Sequence, residues 1–205
     1  MRRLLIYGDS LSNGNHGKNA YYDTLAAKGI EYLNRAVGSS GLCLNTPCSM
    51  LSQLVKYDDR GFDVVLVWHG SNDWYWGSGK EEFLSSMDKA ISIIRERNPD
   101  ALILWCGPIY RYEAPDSFSE KSIAWDTKNK VGLTLRDYEK MVKERAKSLS
   151  LHYLDMDGSV QIHQGNAAIF LEDNVHPNEK GYERISRALV LELEKLFFLK
   201  NGERL

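Results

Sequence analysis

Cysteine is scarce in this sequence: three in 205 residues, Cys43, Cys48 and Cys106. An odd count without metal-ligand spacing excludes a disulfide framework and suggests no metal site, so the three read as reduced thiols. An excess of either charge is missing too. Lys and Arg total 26 against 28 Asp and Glu, a net charge of -2, so nothing in the overall electrostatics attracts nucleic acid or an anionic membrane. No long hydrophobic run is present. The apolar stretch behind Met1-Arg2-Arg3 stops at Gly8-Asp9, short of a signal-peptide core, and the most apolar tail, Leu189 to Leu199, is broken by Glu192, Glu194 and Lys195. The sequence therefore predicts a cytoplasmic protein with no membrane span, and the tail predicts a core-facing helix.

What is present is a chain with 43% hydrophobic and 26% charged residues, read as one domain over residues 1–205. Short apolar runs bounded by Gly, Asp or Pro alternate with helical stretches, the pattern of βα units and a parallel sheet. Five strands are expected: Arg3 to Tyr7, Tyr32 to Val37, Asp63 to Trp68, Ala101 to Cys106 and His152 to Asp155. The third and fourth are almost continuously apolar, as strands covered on both faces are. Helices are expected near Ala20 to Lys28, Met50 to Tyr57, Glu81 to Arg97, Leu135 to Ser150 and Glu179 to Leu199. In the third of these, Phe83, Leu84, Met87, Ala90, Ile91 and Ile94 share one face, and Asn98-Pro99 stops it. Right-handed crossovers then give a three-layer α/β/α domain. Two irregular stretches, Gly107 to Val131 and Met156 to Val175, are longer than ordinary connections.

Ligands of an open parallel sheet bind beyond the carboxyl ends of its strands. After the first strand comes Gly8-Asp9-Ser10-Leu11-Ser12, which places Ser10 at a strand-to-helix junction as a nucleophile or as a turn or helix cap. After the third comes Gly70-Ser71-Asn72-Asp73, where Asn72 either aims its amide at an oxyanion or makes an Asx-turn. After the second, Gly38-Ser39-Ser40-Gly41 exposes backbone N–H groups at the same edge. Asp173 precedes His176 by three residues. A carboxylate at that spacing can hold one imidazole nitrogen while the other acts as general base, or the pair are a surface acid and a helix-start residue. The convergence of four loops on one edge favours the chemical reading.

These blocks, Gly8-Asp9-Ser10-Leu11, Asn34 to Gly41, Gly70-Ser71-Asn72-Asp73 and Asp173-Asn174-Val175-His176, resemble in order and spacing the four signature blocks of the GDSL, or SGNH, hydrolases. The resemblance spans Gly8 to Pro177. It implies a flavodoxin-like sheet of order 2-1-3-4-5, Ser10 as nucleophile, His176 as base, Asp173 as its orienting acid and Asn72 as side-chain oxyanion donor. In the second block the family's usual glycine, five residues after the asparagine, is Ser39. The oxyanion donors expected are thus Ser10 and Ser39 through backbone N–H and Asn72 through its amide, with Gly38 in reserve for Ser39.

The implied reaction is carboxylic ester hydrolysis through an acyl-serine, on short acyl groups, acetyl groups on carbohydrate among them, with no metal or cofactor. Thioesterase and lipase activities belong to the same class. The partner expected is a small-molecule or glycan ester. Trp74, Trp76, Tyr110 and Arg111 crowd the same edge and are expected to contact substrate or to pack a satellite core beneath the long loop. His16, His69, His152 and His163 read as structural or surface residues, with His163 the nearest to a substrate contact. A non-catalytic glycan- or peptide-binding domain on the same scaffold is the alternative, and it predicts that one of Ser10, Asp173 and His176 is lacking. A flavodoxin-like nucleotide-binding protein is disfavoured, because Asp9 repels phosphate and no Walker spacing is present.

Overall fold

The structure is a computed structural model that describes residues 2–17, 21–111 and 125–200. Five strands, β1 (Arg2–Gly8), β2 (Ile30–Asn34), β3 (Val64–Trp68), β4 (Leu102–Cys106) and β5 (His152–Leu154), form one sheet in the order β2-β1-β3-β4-β5. Every pairing is parallel. Leu5 of β1 lies between Leu33 of β2 and Val65 of β3, and Val65 in turn faces Ile103 of β4. The fold class and the strand order are those expected.

The eight helices described are α1 (Tyr22–Ala27), α2 (Met50–Lys56), α3 (Ser71–Trp76), α4 (Lys80–Arg97), α5 (Leu135–Ser148), α6 (Met156–Val160), α7 (Ala167–Phe170) and α8 (Glu179–Lys200). They divide between the two faces. Helix α4 packs against both α2 and α5, with α3 against α5, while α1, α6 and α7 pack against α8. Leu4 to Tyr7 of β1 and Val64 to Trp68 of β3 are buried throughout, which explains why they carry no alternation of polar residues. The expected stripe on α4 is real: Phe83, Met87, Ala90, Ile91 and Ile94 are all buried. The phenylalanine, methionine and isoleucine side chains among them each contribute about 1.5–3 kcal/mol by leaving water. Cys43 and Cys106 are buried and Cys48 is exposed, all three as free thiols.

Element boundaries depart from expectation where side chains redirect the backbone. β2 starts two residues early and ends at Asn34, although Arg35 and Val37 still donate backbone N–H bonds to Ile6 and Gly8. Arg35 turns away to pair with Asp59 at 2.7 Å. β5 ends before Asp155 because that carboxylate accepts the Gly158 N–H at 2.9 Å and opens α6. Helices α3, α6 and α7 were not expected at all. The expected start of α1 at Ala20 lies outside the described residues.

Candidate active site

The carboxyl end of β1 runs into a tight turn. Asp9 closes it: its carboxylate accepts the Leu11 N–H at 2.9 Å and its carbonyl accepts the Ser12 N–H at 3.0 Å. Ser10 sits on this turn, half-buried, rather than at a helix start, since α1 begins only at Tyr22. Facing it is the segment between α7 and α8. There Leu171 bridges Pro177, and Glu172 N–H donates to the His176 carbonyl at 2.8 Å, so the segment is a closed loop. Gly181 of α8 passes so near the Phe170 carbonyl and Pro177 that no side chain fits, which ties the loop to the helix behind it.

Within the loop, Asp173 Oδ1 accepts the N–H groups of Val175 at 2.7 Å and His176 at 2.6 Å, while Oδ2 lies 2.7 Å from His176 Nδ1. His176 Nε2 is 2.8 Å from Ser10 Oγ. Hydroxyl, imidazole and carboxylate thus form one hydrogen-bonded chain across two loops that are distant in sequence. Partial burial pushes the Asp173 carboxyl up, but the donors converging on it from His176 and Val175 outweigh that and hold it below its ordinary value. It is a carboxylate at neutral pH.

The third wall comes from the end of β3. Helix α3 sets Asn72, Tyr75 and Trp76 on one face by their three- and four-residue spacing and turns Ser71 and Trp74 inward. The Asn72 amide donates to the Ser40 carbonyl at 2.9 Å and, by a longer bond of 3.2 Å, to Asp9 Oδ2. Ser39 occupies the left-handed region with φ of 61°, and its carbonyl accepts the Trp76 indole N–H at 3.2 Å. The next residues are held from below, where Asp73 accepts the N–H groups of Leu42 and Cys43 at 2.9 Å. Burial raises the Asp73 carboxyl, partly offset by those donors. Asp9 and Asp73 are therefore turn-holding side chains, and Asp173 is the one that meets His176.

Ser10, Ser39, Asn72, Tyr75, Trp76, Arg111, Val175 and His176 line a cavity of about 230 Å³. Larger grooves, of about 520 and 500 Å³, run along α8 but hold none of these residues. The small cavity is the candidate site because the reactive groups are in it.

Of the residues expected to contact substrate, Trp76 and Arg111 face the cavity. Arg111 is buried, donates to Ser71 Oγ at 3.1 Å and lies over the Trp74 and Tyr75 rings. Trp74 and Tyr110, expected there too, do not line it. Trp74 is fully buried with its indole N–H on the Thr127 carbonyl, and Tyr110 is buried edge-on against Trp125. Both pack in the main hydrophobic core, continuous with the sheet, rather than in a satellite core of their own. The aromatics Tyr112 and Phe118 lie outside the described residues. His163 accepts the Gly165 N–H at 3.2 Å ahead of α7 and does not line the cavity. His69 is buried, and desolvation drives its imidazole down to about 3.

Tyr75 and Val175, neighbours of the expected site residues, complete the cavity wall, whereas sequence reasoning missed His16. Its ring stacks on His176 with centroids 3.6 Å apart and planes 4° apart, and its Nδ1 is 2.5 Å from Glu172 Oε1. His16, Asp173 and His176 offer donor atoms within 4.8 Å of one another, close enough to suggest a metal site. Parallel rings, however, aim their in-plane lone pairs side by side rather than at one point about 2 Å from both nitrogens.

A parallel α/β sheet with serine, histidine and aspartate in hydrogen-bonded series beyond its strand ends defines a class of hydrolase scaffold. Residues 6–184 match the GDSL-like lipase/acylhydrolase family, and the chain belongs to it. No curated protein matches the sequence. Among solved structures the chain is similar to a protein from Lactobacillus plantarum, at 21% identity and a TM-score of 0.79, covering 95% of this chain and 97% of that one. It is also similar to a carbohydrate acetylesterase from Sinorhizobium meliloti, at 16% identity and a TM-score of 0.70 over 96% and 100% of the two chains. A salicylyl-acyltransferase from a tetracycline biosynthetic pathway shares 22% identity and a TM-score of 0.74, over 97% of this chain and 56% of that one. At these identities the likenesses establish the fold. No helix among the described residues is long and apolar enough to cross a membrane.

Proposed function

We propose that the protein is a carboxylic ester hydrolase that works through an acyl-serine and takes short acyl groups, acetyl groups on carbohydrate among them. The observation that carries this reading is the unbroken chain Ser10 Oγ, His176, Asp173, with contacts of 2.8 and 2.7 Å. Asp173 accepts the Nδ1–H of His176, which leaves the Nε2 lone pair for the Ser10 proton. As Oγ bonds to the ester carbonyl carbon, that proton passes to Nε2 and the carbonyl oxygen becomes an oxyanion. The backbone N–H groups of Ser10 and Ser39 and the amide of Asn72 are its donors, the last by giving up its longer bond to Asp9. His176 then returns the proton to the departing alcohol. Water, deprotonated by the same nitrogen, releases the acid and regenerates Ser10. None of these steps calls for a metal or cofactor.

Cavity size supports the short acyl group, since about 230 Å³ is below the range of pockets that enclose drug-sized ligands. Trp76, half-buried beside Ser39, offers an aromatic face to a sugar ring at the rim. A binding domain with a lost triad fits less well, because all three members are present and in contact.

The test is hydrolysis of a chromogenic ester series from acetyl to long acyl by the parent protein and by Ser10→Ala. Turnover should be greatest for the shortest acyl groups and fall roughly 10⁴-fold or more in Ser10→Ala. Turnover that survives the substitution, or an optimum at long acyl chains, contradicts the proposal.

A further inference from the structure

His16 has no part in the steps above, yet it makes the closest ring contact in the site. We propose that His16 is a positioning residue: its ring, held by Glu172, lies flat on His176 and fixes the plane in which His176 meets both Ser10 and Asp173. This rests on the reading of Ser10 and His176 as nucleophile and base.

Two edge contacts alone do not fix an imidazole. The hydrogen bonds to Asp173 and Ser10 tolerate some angular spread, and because the terminal torsion of histidine is soft the ring can still twist about its Cβ–Cγ bond. That twist swings the Nδ1–H away from Asp173 and the Nε2 lone pair away from Ser10. A flat contact on the ring face removes that motion. His16 supplies it, with centroids 3.6 Å apart and planes 4° apart. The need is greatest here because Asp173 is half exposed, and the His176 side chain keeps 19% of its surface in solvent.

His16 is itself anchored. Its Nδ1 lies 2.5 Å from Glu172 Oε1, just as His176 Nδ1 lies 2.7 Å from the neighbouring Asp173. Adjacent carboxylates thus each hold one imidazole, and the two imidazoles stack. The same loop is closed by the Glu172 N–H on the His176 carbonyl. His16 reaches it from the nucleophile's own turn through Asn13-Gly14-Asn15, where Asn15 N–H donates to Asn13 Oδ1 at 2.9 Å. Gly17 follows with φ of +65°, and a side chain there would run into the buried Tyr182 ring. Glycine at 17 therefore lets the chain press His16 onto the base, and the stack joins the nucleophile loop to the base loop.

The test compares His16→Ala with His16→Phe, which keeps a flat ring but loses the bond to Glu172. Two readouts are taken: kcat and KM on an acetyl ester, and the NMR signal of the His176 Nδ1–H. For His16→Ala, kcat should fall roughly tenfold with KM within about twofold, and the signal should broaden. His16→Phe should restore both most of the way. An alanine variant with parental kcat and signal, or a phenylalanine variant as impaired as alanine, overturns the proposal. The NMR readout needs no turnover. A parent protein without Ser10-dependent hydrolysis, whose signal still broadens in His16→Ala, would sink the esterase reading and leave the stack standing.

Discussion

Asp9 is enclosed between the Ser10 turn and α3, and burial raises its carboxyl from an ordinary 3.8 to about 7, against the opposing pull of the Leu11 N–H and Arg111. The sign of the consequence follows from where the proton sits. Between 3.8 and about 7 the folded protein holds a proton that the unfolded chain has released, so stability from this group is complete below about pH 4 and is lost as pH rises to about 7. Asp9→Asn does not titrate. The stability of the parent relative to Asp9→Asn, from urea unfolding at about pH 5 and about pH 8, should therefore be greater at the lower pH. An equal difference at both would show that Asp9 is ionised throughout. At this scale the sequence was informative wherever the contact is local. Asp173 and His176 are three residues apart and their pairing could be read from spacing. The His16 stack could not, because its partner arrives from the far end of the chain through tertiary packing.

The element that most changes the reading of the site is α3. As a turn, Gly70-Ser71-Asn72-Asp73 leaves the following aromatics unassigned, and Trp74 and Trp76 look equivalent. As a helix it separates them: Asn72 and Trp76 lie one turn apart on the cavity side, and Trp74 points into the core. Gly70-Ser71-Asn72-Asp73 is a cluster of turn formers, which is why α3 was not expected although the equally short α1 was, whereas the long amphipathic α4, α5 and α8 were placed within two residues. The two tryptophans should part experimentally. Trp74→Ala removes a fully buried ring and should cost about 3–5 kcal/mol, seen as a fall in the urea midpoint. Trp76→Ala should leave the midpoint within about 0.5–1 kcal/mol and raise KM on a carbohydrate acetyl ester. Equal destabilisation by both would contradict the assigned helical phase.

Across the whole molecule, function is a matter of which loops a parallel sheet brings to one edge. The order β2-β1-β3-β4-β5 sets β1 and β3 side by side, so the Ser10 turn and α3 leave the sheet as neighbours. The Gly38 to Gly41 segment follows β2 on the other flank of β1, and the Asp173 to His176 loop, between α7 and α8, meets Ser10 at the same end. Apolar runs and their punctuation sufficed to predict the strands, and the shared strand polarity sufficed to predict that their loops meet. They did not predict the cavity's shape, which depends on side chains packed beneath it, Trp74 and Tyr110 among them. The proposed function makes Ser10 a nucleophile with His176 as its base. A fluorophosphonate probe tests it without knowledge of the natural ester, by peptide mapping of the labelled protein. A single adduct on Ser10 is expected, absent from Ser10→Ala and formed roughly 10³-fold or more slowly by His176→Ala. No adduct, an adduct on another residue, or undiminished labelling of His176→Ala would contradict it.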